Sequence, residues 1–288
     1  MTDRVVVMVR SGPLTTVQDL GRPGRAHLGV PRSGALDAPA ARWVNRLVGN
    51  AEGAAVLETT VGGCAVRPRR AVVVAVGGAP CAVRVDGRPV AWGAPVRVPA
   101  GAVLDIGRAV RGVRTYAAFA GGIAVEPVLG SRSTDLLSGL GPPVPADGAE
   151  LPLGVPAGPP AVTGGVMPWP GPPAELVLRV RWGPRDDWFV PGARRALLSG
   201  GHRVSAASNR IGMRTEGPVL RRARAAELPS EGMVLGAVQV PPDGRPVVFL
   251  ADHPTTGGYP VLAVVDTRDL PAAAQAVPGT PVRFVTAR

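Results

Sequence analysis

The sequence predicts a mainly β protein, assembled from barrels or sandwiches with a few short helices. Two observations carry this. Short β-branched runs recur along the chain, at 5–9, 72–76, 82–85, 113–119, 176–182, 234–240, 247–250, 261–265 and 282–285. Between them, 39 glycines and 33 prolines act as punctuation. Short strands separated by turn residues argue for all-β architecture and against alternating βαβ units.

Each element has its own local reason. At 37–50, Asp37 caps a helix, Pro39 fits its first turn, and Trp43, Val44, Leu47 and Val48 form an apolar stripe that Gly49-Asn50 ends. Further helices are expected over 192–198 and 268–276. The segment SEGMVLGAVQVPPDGRPVVFLADHPTTGGYP (230–260) sets two apolar runs around a Pro-Pro-Asp-Gly turn, which predicts a β-hairpin. PAGAVLDIG (99–107), PADGAELPLG (145–154) and VPGTPVRFV (277–285) each place a Pro/Gly turn before an alternating strand. The stretch 156–173 is dense in Pro and Gly and reads as a linker. It divides the chain into lobes at 1–155 and 174–288.

Composition excludes several function classes. The net charge is +11, yet every basic residue is arginine and lysine is absent. The chain therefore has no Schiff-base lysine, no Walker lysine and no lysine to carry biotin covalently. Aromatics are 4% and the arginines are scattered, so nucleic acid is not expected as a partner. No apolar run reaches membrane-spanning length and the N-terminus does not read as a signal peptide, so a cytoplasmic protein with no membrane partner is expected. Cys64 and Cys81 lack metal or redox spacing and read as buried packing residues. No metal site is expected. Neither a GxSxG nucleophile elbow nor a GxGxxG dinucleotide loop occurs.

Three segments hold the candidate chemistry. After the hairpin, Asp252 precedes a loop of two hydroxyls and two glycines (Thr255, Thr256, Gly257, Gly258) and then Tyr259; such a loop suits a small polar ligand or an anion. In SNRIGMRTEGP (208–218), Asn209, Arg210, Arg214 and Glu216 surround a glycine, and guanidinium groups hold carboxylates or phosphates in two-point geometry. The alternative there is a solvent-facing polar connection. Glu231, at the start of a strand, is positioned as a general base or a solvated carboxylate. In the N-terminal part, TTVQDLGRPGRAHLGVPRSGALD (15–37) is a long polar loop from which Gln18, Asp19 and Arg22 face a cleft or a partner subunit, or serve architecture alone.

Together, TTVQDLGRPG (15–24), GALDAPAARWVNRLVGN (34–50), YAAFAGGIAVEPVLGSRSTDLLSGLG (116–141) and the two C-terminal segments resemble the biotin-dependent carboxyltransferase-domain family. That family includes allophanate hydrolase subunit 2, KipA and the C-type subunit of ATP-dependent 5-oxoprolinase. The resemblance implies two cyclophilin-like β-barrel lobes. It implies the C-type subunit of a 5-oxoprolinase, a hydrolase opening the cyclic amide of 5-oxo-L-proline to L-glutamate, with ATP acting at the level of the complex. The implied partners are a B-type subunit (KipI or allophanate hydrolase subunit 1-like) and an A-type subunit (LamB/YcsF-like). It admits two other functions: a urea-carboxylase-like carboxyltransferase component served by a separate biotin carrier, and a non-catalytic regulator binding a KipI-like protein. The implied catalytic residues are Arg210, Glu231 and Asp252, with Asn209, Arg214, Thr255, Thr256, Gly257, Gly258 and Tyr259 binding substrate. The chain departs from the family pattern at Asn209, His253, Pro254 and Val261, where the family commonly has Asp, Arg, Gln and Lys.

Overall fold

A computed structural model describes residues 3–158, 171–224, 226 and 228–287. These residues form two compact units. Unit 1 comprises Met1–Arg22, Ser33–Asp135 and Gly139–Gly171; unit 2 comprises Pro23–Arg32, Leu136–Ser138 and Pro172–Arg288. Most of the stretch read as a linker, 159–170, lies outside the described residues.

Unit 1 contains strands β1 (Val5–Arg10), β2 (Thr15–Gln18), β3 (Val56–Thr60), β4 (Cys64–Pro68), β5 (Val72–Gly78), β6 (Cys81–Val85), β7 (Arg88–Val90), β8 (Pro95–Val98), β9 (Leu104–Ala109), β10 (Arg114–Phe119) and β11 (Glu150–Pro152), with helix α1 (Ala38–Leu47). They make a six-stranded sheet, β11-β1-β4-β9-β6-β7, and a five-stranded sheet, β2-β3-β10-β5-β8. Period-2 alternation explains how β10 is buried along its whole length. Ala117 and Phe119 enter a core shared with Val6, Met8, Val66, Leu104 and Ile106 of the other sheet. Tyr116 and Ala118 point the other way, onto Ala40, Val44 and Leu47 of α1. Asp37 caps α1 as the sequence predicts, its Oδ1 accepting from the Ala40 amide at 3.1 Å.

Unit 2 contains strands β12 (Leu176–Trp182), β13 (His202–Val204), β14 (Gly212–Glu216), β15 (Glu231–Gly232), β16 (Ala237–Gln239), β17 (Val247–Phe249), β18 (Thr256–Gly257), β19 (Val261–Val265) and β20 (Pro281–Thr286), with helices α2 (Ala193–Leu198) and α3 (Leu270–Gln275). Seven strands close a barrel in the order β12-β19-β16-β17-β14-β13-β20. Closure comes from parallel pairing of β12 with β20, Leu178 opposite Phe284. Leu176, Leu178 and Val180 of β12 are fully buried, while Val177, Arg179 and Arg181 alternate to the outside. The predicted hairpin is β16–β17, with Val238 opposite Val248. The short β15–β18 ladder stands apart from the barrel ladder, with Glu231 opposite Gly257. The mainly β expectation therefore holds; barrel closure is seen in unit 2, whereas unit 1 is built of two sheets. No helix among the described residues is long and apolar enough to cross a membrane.

Candidate functional site

In unit 2 the candidate residues fall into three groups. The first is a buried ion pair. Arg210 Nε donates to Asp252 Oδ2 and its Nη2 to Oδ1, both at 2.9 Å. The side chains are 1% and 0% exposed. Backbone bonds lock the two segments together: Asp252 N to Arg210 O at 3.1 Å and Leu250 N to Ile211 O at 2.9 Å. Asp252 Oδ2 also accepts from the Leu136 amide at 3.3 Å. The expected roles, Arg210 gripping substrate and Asp252 orienting water, meet a physical obstacle: each group engages the other out of reach of solvent. Their geometry is that of a brace fixing the start of the Thr-Thr-Gly-Gly loop. His253, next in sequence, is buried too, stacked on Phe249 at 5.8 Å.

The second group is that loop and the strand beside it. β15 brings Glu231 against Gly257, and the Met233 amide donates to Thr255 O at 2.8 Å. Glu231 is held by Arg185, whose Nε donates to Oε1 at 2.8 Å and to Oε2 at 3.0 Å, with Nη2 also on Oε1. The Arg185 hydrogen bonds hold the Glu231 carboxyl below its ordinary range. This opposes the general-base role, which calls for a carboxylate tuned upward; Glu231 stays ionised and acts as an acceptor. Thr256 and Tyr259 are exposed, and the Arg222 guanidinium lies 5.4 Å from the centre of the Tyr259 ring. Glycine at 257 has a packing reason: a Cβ there would fall 2.8 Å from Gln239 Nε2. Gln239 in turn donates to Tyr259 O at 3.2 Å. A Cβ at 258 would lie 3.2 Å from Leu228 O.

The third group is Asn209 and Arg214. Asn209 Oδ1 accepts from the amides of Ile211 at 2.9 Å and Gly212 at 3.2 Å, a local turn that starts β14. This explains an amide-bearing side chain here without invoking proton transfer. Arg214 points outward from β14 and lines a cleft on the outer face of the barrel.

In unit 1, Gln18, Asp19 and Arg22 do come together, around the segment 128–134. Asp19 Oδ1 accepts from Gly21 N at 2.7 Å and from the hydroxyls of Ser131 and Ser133, each at 2.6 Å. Its Oδ2 accepts from Arg132 N at 2.6 Å. Arg22 Nη2 donates to Ser133 O at 2.5 Å, and Gln18 Nε2 to Thr134 O at 2.9 Å. All three tie the 128–134 loop to the strand end.

Several features escaped sequence reasoning. Arg185, 46 positions from Glu231, carries no local signal. Glu58, Tyr116 and Asp37 form a buried network, with Tyr116 Oη donating to Glu58 Oε2 at 2.9 Å and accepting from Asp37 N at 2.8 Å. Burial and the neighbouring carboxylates raise the Tyr116 phenol well above its ordinary value. Cys64 and Cys81, by contrast, are free and buried as the sequence predicts, with burial raising their thiols to about 12 and about 11.

Solved urea amidolyase and urea carboxylase structures contain a region that superposes on this chain, amounting to 19% and 27% of their own lengths. The chain belongs to the family described as carboxyltransferase domain, subdomains A and B, whose model matches residues 28–286. It is 38% identical over 285 residues to the C-type subunit of 5-oxoprolinase from Escherichia coli, covering 96% of this chain and 90% of that protein. It is 33% identical over 303 residues to the urea amidolyase of Lachancea kluyveri, covering 95% of this chain and 16% of that one. Among solved structures, TTHA0988 superposes with a TM-score of 0.87 at 40% identity, over 98% of this chain and 56% of that chain. The K. lactis urea amidolyase superposes with a TM-score of 0.89 at 28% identity, over 99% and 19%.

Proposed function

We propose that this chain is the C-type subunit of an ATP-dependent 5-oxoprolinase, which opens 5-oxo-L-proline to L-glutamate together with A- and B-type subunits. One observation carries the reading: the similarity to the E. coli 5-oxoprolinase protein takes in 90% of its length at 38% identity. Opening an unstrained five-membered lactam at neutral pH is uphill, and ATP supplies the driving force by activating the lactam oxygen.

Within this reading the working surface of the chain is the β15–β18 edge. Glu231, kept anionic by Arg185, accepts a hydrogen bond from the ring N–H of the lactam. Thr255 and Thr256 offer hydroxyl donors toward charge developing on the carbonyl oxygen. The Arg210–Asp252 pair acts at one remove, by fixing the loop that carries these hydroxyls.

The test is glutamate formation from 5-oxo-L-proline and ATP by this chain assembled with its A- and B-type partners, with each subunit omitted in turn. Turnover that disappears when this chain is left out supports the proposal. An assembled complex without turnover removes it.

A second reading draws on the urea amidolyase similarity, which spans 95% of this chain. In it the chain transfers a carboxyl group from biotin carried on another polypeptide, because it has no lysine to bear biotin itself. Activity that needs a biotinylated partner and is blocked by avidin separates this reading from the first.

A further inference from the structure

We infer that the outer face of the unit 2 barrel carries a binding cleft for a small zwitterionic or lactam-type acid, gripped by Arg214 and Arg245. The cleft has a volume of about 210 Å³ and is lined by Ser205, Arg214, Thr215, Glu216, Asp243 and Arg245, among others. A cleft of that volume has room for a molecule of amino-acid size.

The cleft sets two arginines beside two carboxylates. Several other arginines of unit 2 lie on carboxylates: Arg179 on Asp269, Arg185 on Glu231, Arg194 on Asp186 and Arg224 on Asp187. Arg214 and Arg245 share a cleft with Glu216 and Asp243, yet neither guanidinium makes a hydrogen bond or ion pair among the described residues. The carboxylates are held elsewhere. Glu216 Oε1 accepts from Ser205 Oγ at 2.8 Å, and Asp243 Oδ1 accepts from the Arg245 amide at 3.1 Å. Among the described residues, the second oxygen of each makes no hydrogen bond.

The fold fixes this arrangement. Alternation along β14 buries Met213 and Thr215 and turns Arg214 and Glu216 outward. Arg214 pairs in register with Val247, which places the turn carrying Asp243 and Arg245 alongside. Gly244, at φ 74°, permits the tight turn that sets Asp243 and Arg245 on either side of it.

Two unengaged guanidinium forks select a carboxylate, because two-point donation matches its geometry. Two half-used carboxylates select an N–H or ammonium group on the same ligand. A ligand with both ends satisfies the cleft; a simple anion leaves the carboxylates facing it. Binding here needs only the cleft and is read on the isolated full chain, whereas oxoprolinase activity is decided by turnover in the assembled complex.

The experiment is calorimetric or ligand-observed NMR titration of the full chain with L-glutamate, 5-oxo-L-proline, acetate and sulfate. Saturable binding of L-glutamate or 5-oxo-L-proline is expected, at least tenfold tighter than acetate or sulfate. It should weaken at least tenfold in Arg245→Gln and in Arg214→Gln, and stay unchanged in Arg195→Gln, an exposed arginine outside the cleft. Asp243→Asn should weaken L-glutamate more than acetate. No saturable binding, equal binding of acetate, or binding indifferent to Arg245→Gln would each overturn the inference.

Discussion

Arg210 and Asp252, 42 positions apart, form a two-point ion pair with both N···O distances at 2.9 Å and almost no exposure. Removing one partner of such a pair leaves the other charge buried without its counter-ion, at about 3–5 kcal/mol. Arg210→Met is therefore expected to lower the unfolding free energy of unit 2, read from urea denaturation, by an amount in that range. Arg210→Lys keeps the charge but loses the fork, and should fall between wild type and Arg210→Met. Activity lost in these variants is to be read against the denaturation curve. If Arg210→Met abolishes turnover at an unchanged midpoint, the pair does more than brace the loop.

Asp19 makes the corresponding test in unit 1. It accepts four hydrogen bonds at 2.6–2.7 Å, two of them from the fully buried Ser131 and Ser133. Asp19→Ala strands those donors, and the expected cost is about 2–4 kcal/mol. The local readout is hydrogen exchange at the Arg132 and Ser133 amides, which should lose protection before the β1–β4 ladder does. Unchanged protection at Arg132 would show that the loop is held by Arg22 and Gln18 without Asp19.

The division between what the sequence reveals and what it hides follows sequence distance. Helix α1 is legible because its cap, its first-turn proline and its apolar stripe are neighbours in the chain. The β16–β17 hairpin is legible because its turn is local. The three Pro/Gly turns before alternating runs do lead into β9, β11 and β20. At the candidate site, the presence of Asn209, Arg210, Glu231 and Asp252 is plain in the sequence, but their partners are not. Arg210 meets Asp252, and Glu231 meets Arg185, only through barrel register and the β15–β18 ladder. Two arginines in one short motif, Arg210 and Arg214, look equivalent in the sequence. The pleat and the burial of the turn before β14 send one into the interior and the other onto the outer face.

Glu231→Gln separates the electrostatic from the architectural part of the β15–β18 edge. Gln keeps the volume and one acceptor oxygen but loses the charge that Arg185 stabilises. If Glu231 receives the lactam N–H, the assembled enzyme should lose about 10–100-fold in kcat/KM, which corresponds to roughly one charge-assisted hydrogen bond. The thermal midpoint should change little, because the Arg185–Glu231 pair is partly exposed. A kinetic defect of this size without a stability defect places Glu231 at the reacting molecule. Unaltered kinetics would return it to a surface ion pair.

His202 links stability to pH. The ring is 1% exposed, lies edge-on to Phe284 at 5.5 Å, and has the Ala196 and Leu197 backbone beside it. Burial outweighs those backbone groups and lowers its pKa from the ordinary 6.5. Below pH 6.5 the unfolded chain therefore binds a proton at this position that the folded chain refuses. The unfolded state carries more protons, so stability rises with pH through the window beneath 6.5. The contribution is fully present above pH 6.5, and it is lost as the pH falls toward the depressed folded value. Urea midpoints measured at about pH 7.5 and about pH 5 should accordingly drop on acidification. The drop should be smaller in His202→Leu, whatever its absolute stability, because leucine takes up no proton in either state. Comparing slopes cancels every contribution common to both proteins. Equal slopes in the two proteins would mean that His202 binds its proton as readily in the folded barrel as in the unfolded chain.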